Sequence, residues 1–278
     1  MQSFKTIVKQ ITPQPLYAAY AALWRIFMRI KYSSAVYPLC NIFGCPFCGH
    51  QYRKFIADGS TEPVWKELQI VGGGHRENAK CLWCHSSDRE RLMYYYIKER
   101  TDLLLGKKKL LHIAPEKNIG RILQKCLGQN FISGDINPDR DLVKEYIDIR
   151  DICYSDNSFD AIICSNILEH ILEDRKAMGE LYRVLASGGL ALFLTPISLK
   201  LETTFEDRSV TTEEARLHVF GQKDHVRVYA KDFKNRLESA GFRMTVIDPV
   251  KEFGEEITRY FAFFKGENLY IGSKNKHI

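Results

Sequence analysis

Ser158-Phe159-Asp160-Ala161-Ile162-Ile163-Cys164-Ser165-Asn166-Ile167-Leu168-Glu169-His170, followed by Ser187-Gly188-Gly189-Leu190-Ala191-Leu192-Phe193-Leu194-Thr195-Pro196, is the stretch that decides the fold. Ala161 to Cys164 and Leu190 to Leu194 are short, continuous apolar runs, the pattern of strands buried on both faces of a parallel sheet. Between them Leu172, Met178, Leu181, Val184 and Leu185 recur near helical spacing, and Gly188-Gly189 reads as a helix stop before the second strand. Strand, helix and strand make a βαβ unit, and ligands of open parallel sheets bind beyond the carboxyl ends of the strands. That edge carries Ser165, Asn166, Glu169 and His170.

At these spacings Ser-Phe-Asp, Leu-Glu-His, Arg-Val-Leu and Gly-Gly resemble the class I S-adenosylmethionine-dependent methyltransferases of the type 11 group, over residues 107–200 and more loosely to the C-terminus. The resemblance implies an α/β fold, a Rossmann-like seven-stranded methyltransferase sheet with helices on both faces, in a domain spanning 106–278. It also implies S-adenosyl-L-methionine as cofactor. Asp135 ends the strand Phe131–Ile136, where an acid accepts hydrogen bonds from both ribose hydroxyls, as in dinucleotide folds. By resemblance Asp148 contacts the adenine amino group with the Ile149 amide near the ring, Asp151 being the competing choice, and Ser165 borders the cofactor.

One loop departs from the family. Its members usually end the first strand on an acid followed by Gly-x-Gly-x-Gly, whereas this chain has Leu111-His112-Ile113-Ala114-Pro115-Glu116-Lys117-Asn118. His112 replaces the acid, and Ala114, Glu116 and Asn118 replace the glycines, whose missing Cβ lets the backbone turn sharply and approach a ligand. Glu116 is expected to offer its carboxylate to the ammonium of the methionine moiety, and free amides opening the next helix are expected to face its carboxylate.

Upstream, Cys45-Pro46-Phe47-Cys48 and Cys81-Leu82-Trp83-Cys84 are two Cys-x-x-Cys knuckles separated by 32 residues. Four such thiolates suit one tetrahedral Zn²⁺ in a module spanning 39–105, with a structural rather than catalytic role. His50 and His85 are read as bystanders. Buried thiols at Cys153 and Cys164 fit a reducing, cytoplasmic setting. Ser87-Asp88-Arg89-Glu90 reads as a capping box opening a helix through Arg100, with Arg89 and Arg91 on a solvated face or meeting an anionic substrate.

The net charge of +6 is concentrated early: residues 1–57 contain Lys5, Lys9, Arg25, Arg29, Lys31, Arg53 and Lys54 and no acidic residue. Within the first region, 1–38, residues 14–31 place Leu16, Tyr20, Leu23, Phe27 and Ile30 on one helical face and Arg25 and Arg29 on the other. Such a helix packs on its own domain or a partner, or lies on an anionic membrane surface. No apolar run is long enough to span a bilayer, and Trp24-Arg25 ends the apolar run without a cleavage site, so a soluble or peripheral protein without a signal peptide is expected.

After Pro196 a polar insertion over 198–229 reads as a lid or pocket wall, and 230–240 as a helix before closing strands at 242–248 and 269–273. His225 and His170 are candidate general bases, because their ordinary pKa lies near neutrality. The expected activity is methyl transfer to a small-molecule or glycan-type acceptor, lipid-linked in view of the N-terminal helix. RNA is an alternative acceptor, kept by the basic N-terminal third. A zinc-containing scaffold that has lost its cofactor is another alternative, motivated by the missing glycines.

Overall fold

The computed structural model describes residues 14–33 and 42–275; Cys40 and the rest of the expected N-terminal region lie outside them. In chain order, helix α1 (Gln14–Lys31) precedes a small module. It contains β1 (Phe43–Gly44), β2 (Gln51–Tyr52), β3 (Ile56–Asp58), α2 (Pro63–Glu67), β4 (Ile70–Val71), β5 (Arg76–Lys80) and α3 (Asp88–Arg100). The larger unit follows with β6 (Leu110–Ile113), α4 (Lys117–Leu127), β7 (Phe131–Asp135), β8 (Glu145–Tyr146), β9 (Phe159–Ser165), α5 (Asp174–Val184) and β10 (Leu185–Leu194). It continues through β11 (Ile197–Ser198), β12 (Phe205–Glu206), α6 (Glu213–Phe220), β13 (Arg227–Val228), α7 (Phe233–Ser239), β14 (Arg243–Ile247), α8 (Pro249–Tyr260) and β15 (Leu269–Ser273).

Seven strands form one sheet in the order β8-β7-β6-β9-β10-β15-β14. The pairs from β8 through β10 are parallel, and β15 runs antiparallel to both neighbours. The order reverses at β6, between β7 and β9, which opens a crevice beyond their carboxyl ends. Alternation along the strands feeds two apolar layers. Phe159, Ile162, Cys164, Ala191 and Phe193 pack with Met178 and Leu181 of α5 and Phe233 of α7, while Ala161, Ile163, Leu192 and Leu194 pack with Met93 of α3 and Ile119 and Leu123 of α4. Helices therefore cover both faces of the sheet.

Gly188-Gly189 is not the helix stop. The helix ends at Val184, β10 begins at Leu185, and the glycines sit where the β9–β10 register shifts between Leu185 and Leu190. Gly188 has φ +76°, and a Cβ on Gly189 would meet the Ala186 carbonyl at 2.7 Å, so the pair forms a bulge within the strand. The polar insertion carries regular structure: β11 pairs with β4, β12 with β13, and Thr212 caps α6.

The N-terminal module is sewn to the C-terminal segment by Arg91. Its fully buried guanidinium donates to the carbonyls of Asn78, Ala79, Ser86, Phe261 and Ala262 at 2.8–3.1 Å. Arg89 is buried too, pairing with Glu267 at 2.8 Å and donating to the Gly72 carbonyl. Neither arginine lies on a solvated face or is placed to meet a substrate. Helix α1 turns Met28 toward the module, and Arg29 stacks on Trp83 and donates to the Leu82 carbonyl. Among the described residues nothing covers its other face: Leu23 and Ile30 are 67% and 62% exposed, with Tyr20, Ile26 and Phe27 beside them. No described helix is long and apolar enough to cross a membrane.

Candidate functional site

At the carboxyl edge of β6, β7 and β9 lies a cavity of about 360 Å³ lined by Ala114, Asp135, Arg140, Asp148, Ile149, Asn166 and His170, among others. Ala114 stands where the family uses glycine and takes a left-handed conformation, φ +45°, held by its amide on the Gly134 carbonyl at 2.8 Å. The sharp turn is thus made without glycine, at the cost of a strained alanine.

Asp135 ends β7 almost fully buried, accepting from the Asn137 amide at 2.9 Å and from Arg140 Nη1 at 2.5 Å. Asp148 is gripped by Arg150, whose hydrogen bonds hold its carboxyl below the ordinary value against a smaller effect of burial. Asp148, not Asp151, lines the cavity. The expected acids are therefore in the crevice, each already facing an arginine.

His112, Glu116 and Ser165 form a cluster of their own. His112 Nε2 lies 2.8 Å from Glu116 Oε2, Ser165 bonds the same carboxylate, and Asn166 Nδ2 donates to Ser165 Oγ. Burial opposes ionisation of Glu116, but His112 and Ser165 hold its pKa below the ordinary value.

The amides opening α4 are not free. Glu90 Oε1 accepts from the Asn118 and Ile119 amides at 2.9 and 3.0 Å, and Oε2 accepts from the Asn118 side chain. Ser87 caps α3 through the Glu90 amide as expected, yet the Glu90 carboxylate leaves the capping box for the neighbouring helix. Burial pushes the Glu90 carboxyl up. The sequence reading missed Glu90 here, and the only trace of it was the motif that assigned the residue elsewhere.

Beyond His170 stands His225, with ring centroids 4.8 Å apart. His225 is buried against the Trp65 ring, and burial pushes its imidazole below the ordinary value. His170 Nδ1 lies 3.3 Å from both the carbonyl and a carboxylate oxygen of Asp224.

In the N-terminal module Cys45, Cys48, Cys81 and Cys84 converge, their sulfurs all within 4.8 Å of one another. Cys45–Cys84 is 3.5 Å and Cys48–Cys81 is 3.8 Å. A tetrahedron with metal–sulfur bonds of about 2.3 Å has edges of about 3.8 Å, so the set fits one cation. Both knuckles turn through a left-handed residue, Gly49 and His85, and the Trp83 amide points at the Cys81 sulfur. His50 stacks on Trp83 and is not in the cluster. Of the other thiols, Cys164 is buried, whereas Cys153 is exposed.

Residues 130–193, from β7 to the end of β10, match a family described as a methyltransferase domain. This part of the chain is similar to that family, and the sheet that holds it has the Rossmann-like methyltransferase fold. The seven-stranded order with its antiparallel β15 is the sheet of that fold. Solved structures resembling the domain include a SAM-dependent methyltransferase from Archaeoglobus fulgidus, with 17% identity, 68% of this chain and 95% of that chain covered, and a TM-score of 0.43. Protein BH2331 from Bacillus halodurans has 16% identity, 69% and 100% covered, and a TM-score of 0.43. The [4+2]-cyclase SpnF has 15%, 70% and 84%, and 0.43. These likenesses are too distant to bear on function. A search of curated proteins finds no match.

Proposed function

We propose that the protein is an S-adenosylmethionine-dependent methyltransferase acting on a small-molecule or glycan-type acceptor carried on a lipid, with a structural Zn²⁺ held by Cys45, Cys48, Cys81 and Cys84. The observation that carries the reading is the meeting of Asp135, Asp148 and Ile149 in one cavity at the reversal point of the sheet. Bound S-adenosylmethionine supplies an electrophilic methyl group. Asp135 would hold the ribose hydroxyls, Asp148 and the Ile149 amide the adenine, and Glu116 the ammonium, while His170 borders the space left for the acceptor.

The lipid is supported by α1. Its exposed Tyr20, Leu23, Ile26, Phe27 and Ile30 form an apolar stripe in a segment without acidic residues, the composition that enters an anionic headgroup layer. RNA is less well supported, because Arg76, Arg89 and Arg91 are consumed internally and Arg29 is stacked on Trp83.

Calorimetric titration of S-adenosylmethionine into zinc-loaded protein tests the central reading. Micromolar binding that is lost in Asp135→Ala is expected. No binding at millimolar ligand sinks it and favours a scaffold built on a methyltransferase fold. Sedimentation with phosphatidylglycerol vesicles tests the lipid part: binding to these but not to phosphatidylcholine vesicles, lost in Leu23→Glu/Phe27→Glu, is expected.

A further inference from the structure

Three side chains beside the cavity form a second ligand set, unrelated to the cysteines. One ligand atom each from Glu169, His170 and His225 lie within 4.8 Å of one another. Glu169 is buried and receives the Thr195 hydroxyl on Oε2 at 2.9 Å. His225 is 2% exposed; one ring nitrogen is engaged by the Phe220 carbonyl, and Nε2 has no hydrogen-bond partner. A buried nitrogen left unpaired is disfavoured, so the position calls for a ligand.

The surroundings are built to aim these groups. A carbonyl on one imidazole nitrogen fixes the tautomer that leaves a lone pair on the other, and a hydroxyl orients the carboxylate, the outer contacts that position metal ligands. Arg227 holds the backbone of the Glu169–His170 turn, donating to the carbonyls of Leu168 at 2.9 Å, Leu172 at 3.0 Å, and Ile171. The Val226 amide ties the two segments together through the Glu169 carbonyl at 3.0 Å. His170 and Asp224 line the cavity, so a bound ion would face it.

We infer that Glu169, His170 and His225 bind a divalent first-row transition cation whose open positions take an oxygen of the acceptor. Two imidazoles and one carboxylate with open positions suit Mn²⁺, Fe²⁺ or Zn²⁺, in contrast to the soft thiolate set of the N-terminal module. A cation there lowers the pKa of a coordinated hydroxyl and fixes its direction toward the cofactor. The two histidines then serve as ligands rather than as proton acceptors. The acceptor's role rests on the methyltransferase reading, while cation binding itself does not.

The test is a titration of Mn²⁺ into the full-length protein loaded with one Zn²⁺ per chain, enough for the cysteine cluster alone, followed by calorimetry and electron paramagnetic resonance. Binding of one ion per chain is expected, weakened at least about 10-fold in Glu169→Gln. His170→Asn, at a partly exposed position, should weaken it similarly without lowering the melting temperature, which guards against misfolding of the first variant. No uptake by the wild type, or uptake unchanged in both variants, overturns the inference. S-adenosylmethionine titrated into the same preparation separates the two readings: cofactor binding without Mn²⁺ uptake removes the cation site alone, and Mn²⁺ uptake without cofactor binding removes the methyltransferase alone.

Discussion

Arg140 Nη1 lies 2.5 Å from Oδ2 of Asp135, on the wall of the cavity where a ribose would be held. The pair is asymmetric, since the carboxylate is nearly buried and the guanidinium half exposed. A ligand that takes both oxygens of Asp135 must displace Arg140. Removing the arginine by Arg140→Ala should therefore tighten S-adenosylmethionine binding a few-fold, up to the about 1 kcal/mol that a partly exposed ion pair contributes. Calorimetry on Arg140→Ala beside Asp135→Ala checks it, and weaker binding in both would make Arg140 a cofactor ligand instead.

Glu90 joins α3 to the first turn of α4 through two backbone amides. Glu90→Ala should lower stability by about 1–2 kcal/mol, as loss of a helix cap does, with greater exchange at the Asn118 and Ile119 amides. Urea unfolding with hydrogen exchange reads both, and unchanged protection there would mean that the cap is dispensable.

All five N–H donors of Arg91 are used on carbonyls. Arg91→Met should cost about 3 kcal/mol or more, because several buried carbonyls lose their partner at once, and Arg91→Lys should not restore stability, having three donors without the planar fork. Thermal unfolding of the two variants decides this.

The pKa of Glu116 is depressed in the folded protein, so its contribution to stability is complete above the ordinary value of 4.5 and is lost as pH falls through the lower folded value. His112→Gln removes the imidazole whose contact lowers the Glu116 value and raises the folded pKa toward ordinary. The wild type should therefore lose more stability than the variant on acidification below pH 4.5. Urea midpoints across that range test it, and parallel profiles would show that His112 does not set the Glu116 charge.

Removing metal from the cysteine cluster should loosen residues 42–87 while leaving the large sheet intact, because only the small core around Tyr52, Phe55 and Leu82 packs with the sulfurs. Chelator treatment followed by limited proteolysis should give cleavage there first. Protection equal to that of the untreated protein would argue against a structural cation.

The sheet was legible because its strands are continuous apolar runs, as at Ala161–Cys164, and Ser87 announced a helix by local chemistry alone. What stayed hidden depends on distant partners. Arg89 and Arg91 look solvent-facing in sequence because nothing near them pairs with their charge; their partners come from residues 261–267. Glycines at 188 and 189 carry the same signature for a helix stop and a strand bulge. Helix α8 had a readable start, Asp248 capping the Val250 and Lys251 amides with Pro249 in the first turn, but Gly254 at φ +84° breaks its periodicity. The knuckle spacing exposed the cysteine cluster, whereas Glu169 and His225 are brought together only by the β13 segment folding back over the turn after β9.

Arg91 also sets an order of events during synthesis. Two of the carbonyls that complete its shell belong to Phe261 and Ala262, 170 and 171 positions later in the chain. On a ribosome the knuckles emerge well before that segment, so the guanidinium beside them keeps unanswered donors until residues 261 and 262 have been made. The knuckle module is thus finished only after the sheet that follows it has been made, and a chain truncated before residue 261 would leave that arginine exposed to water or to chaperones.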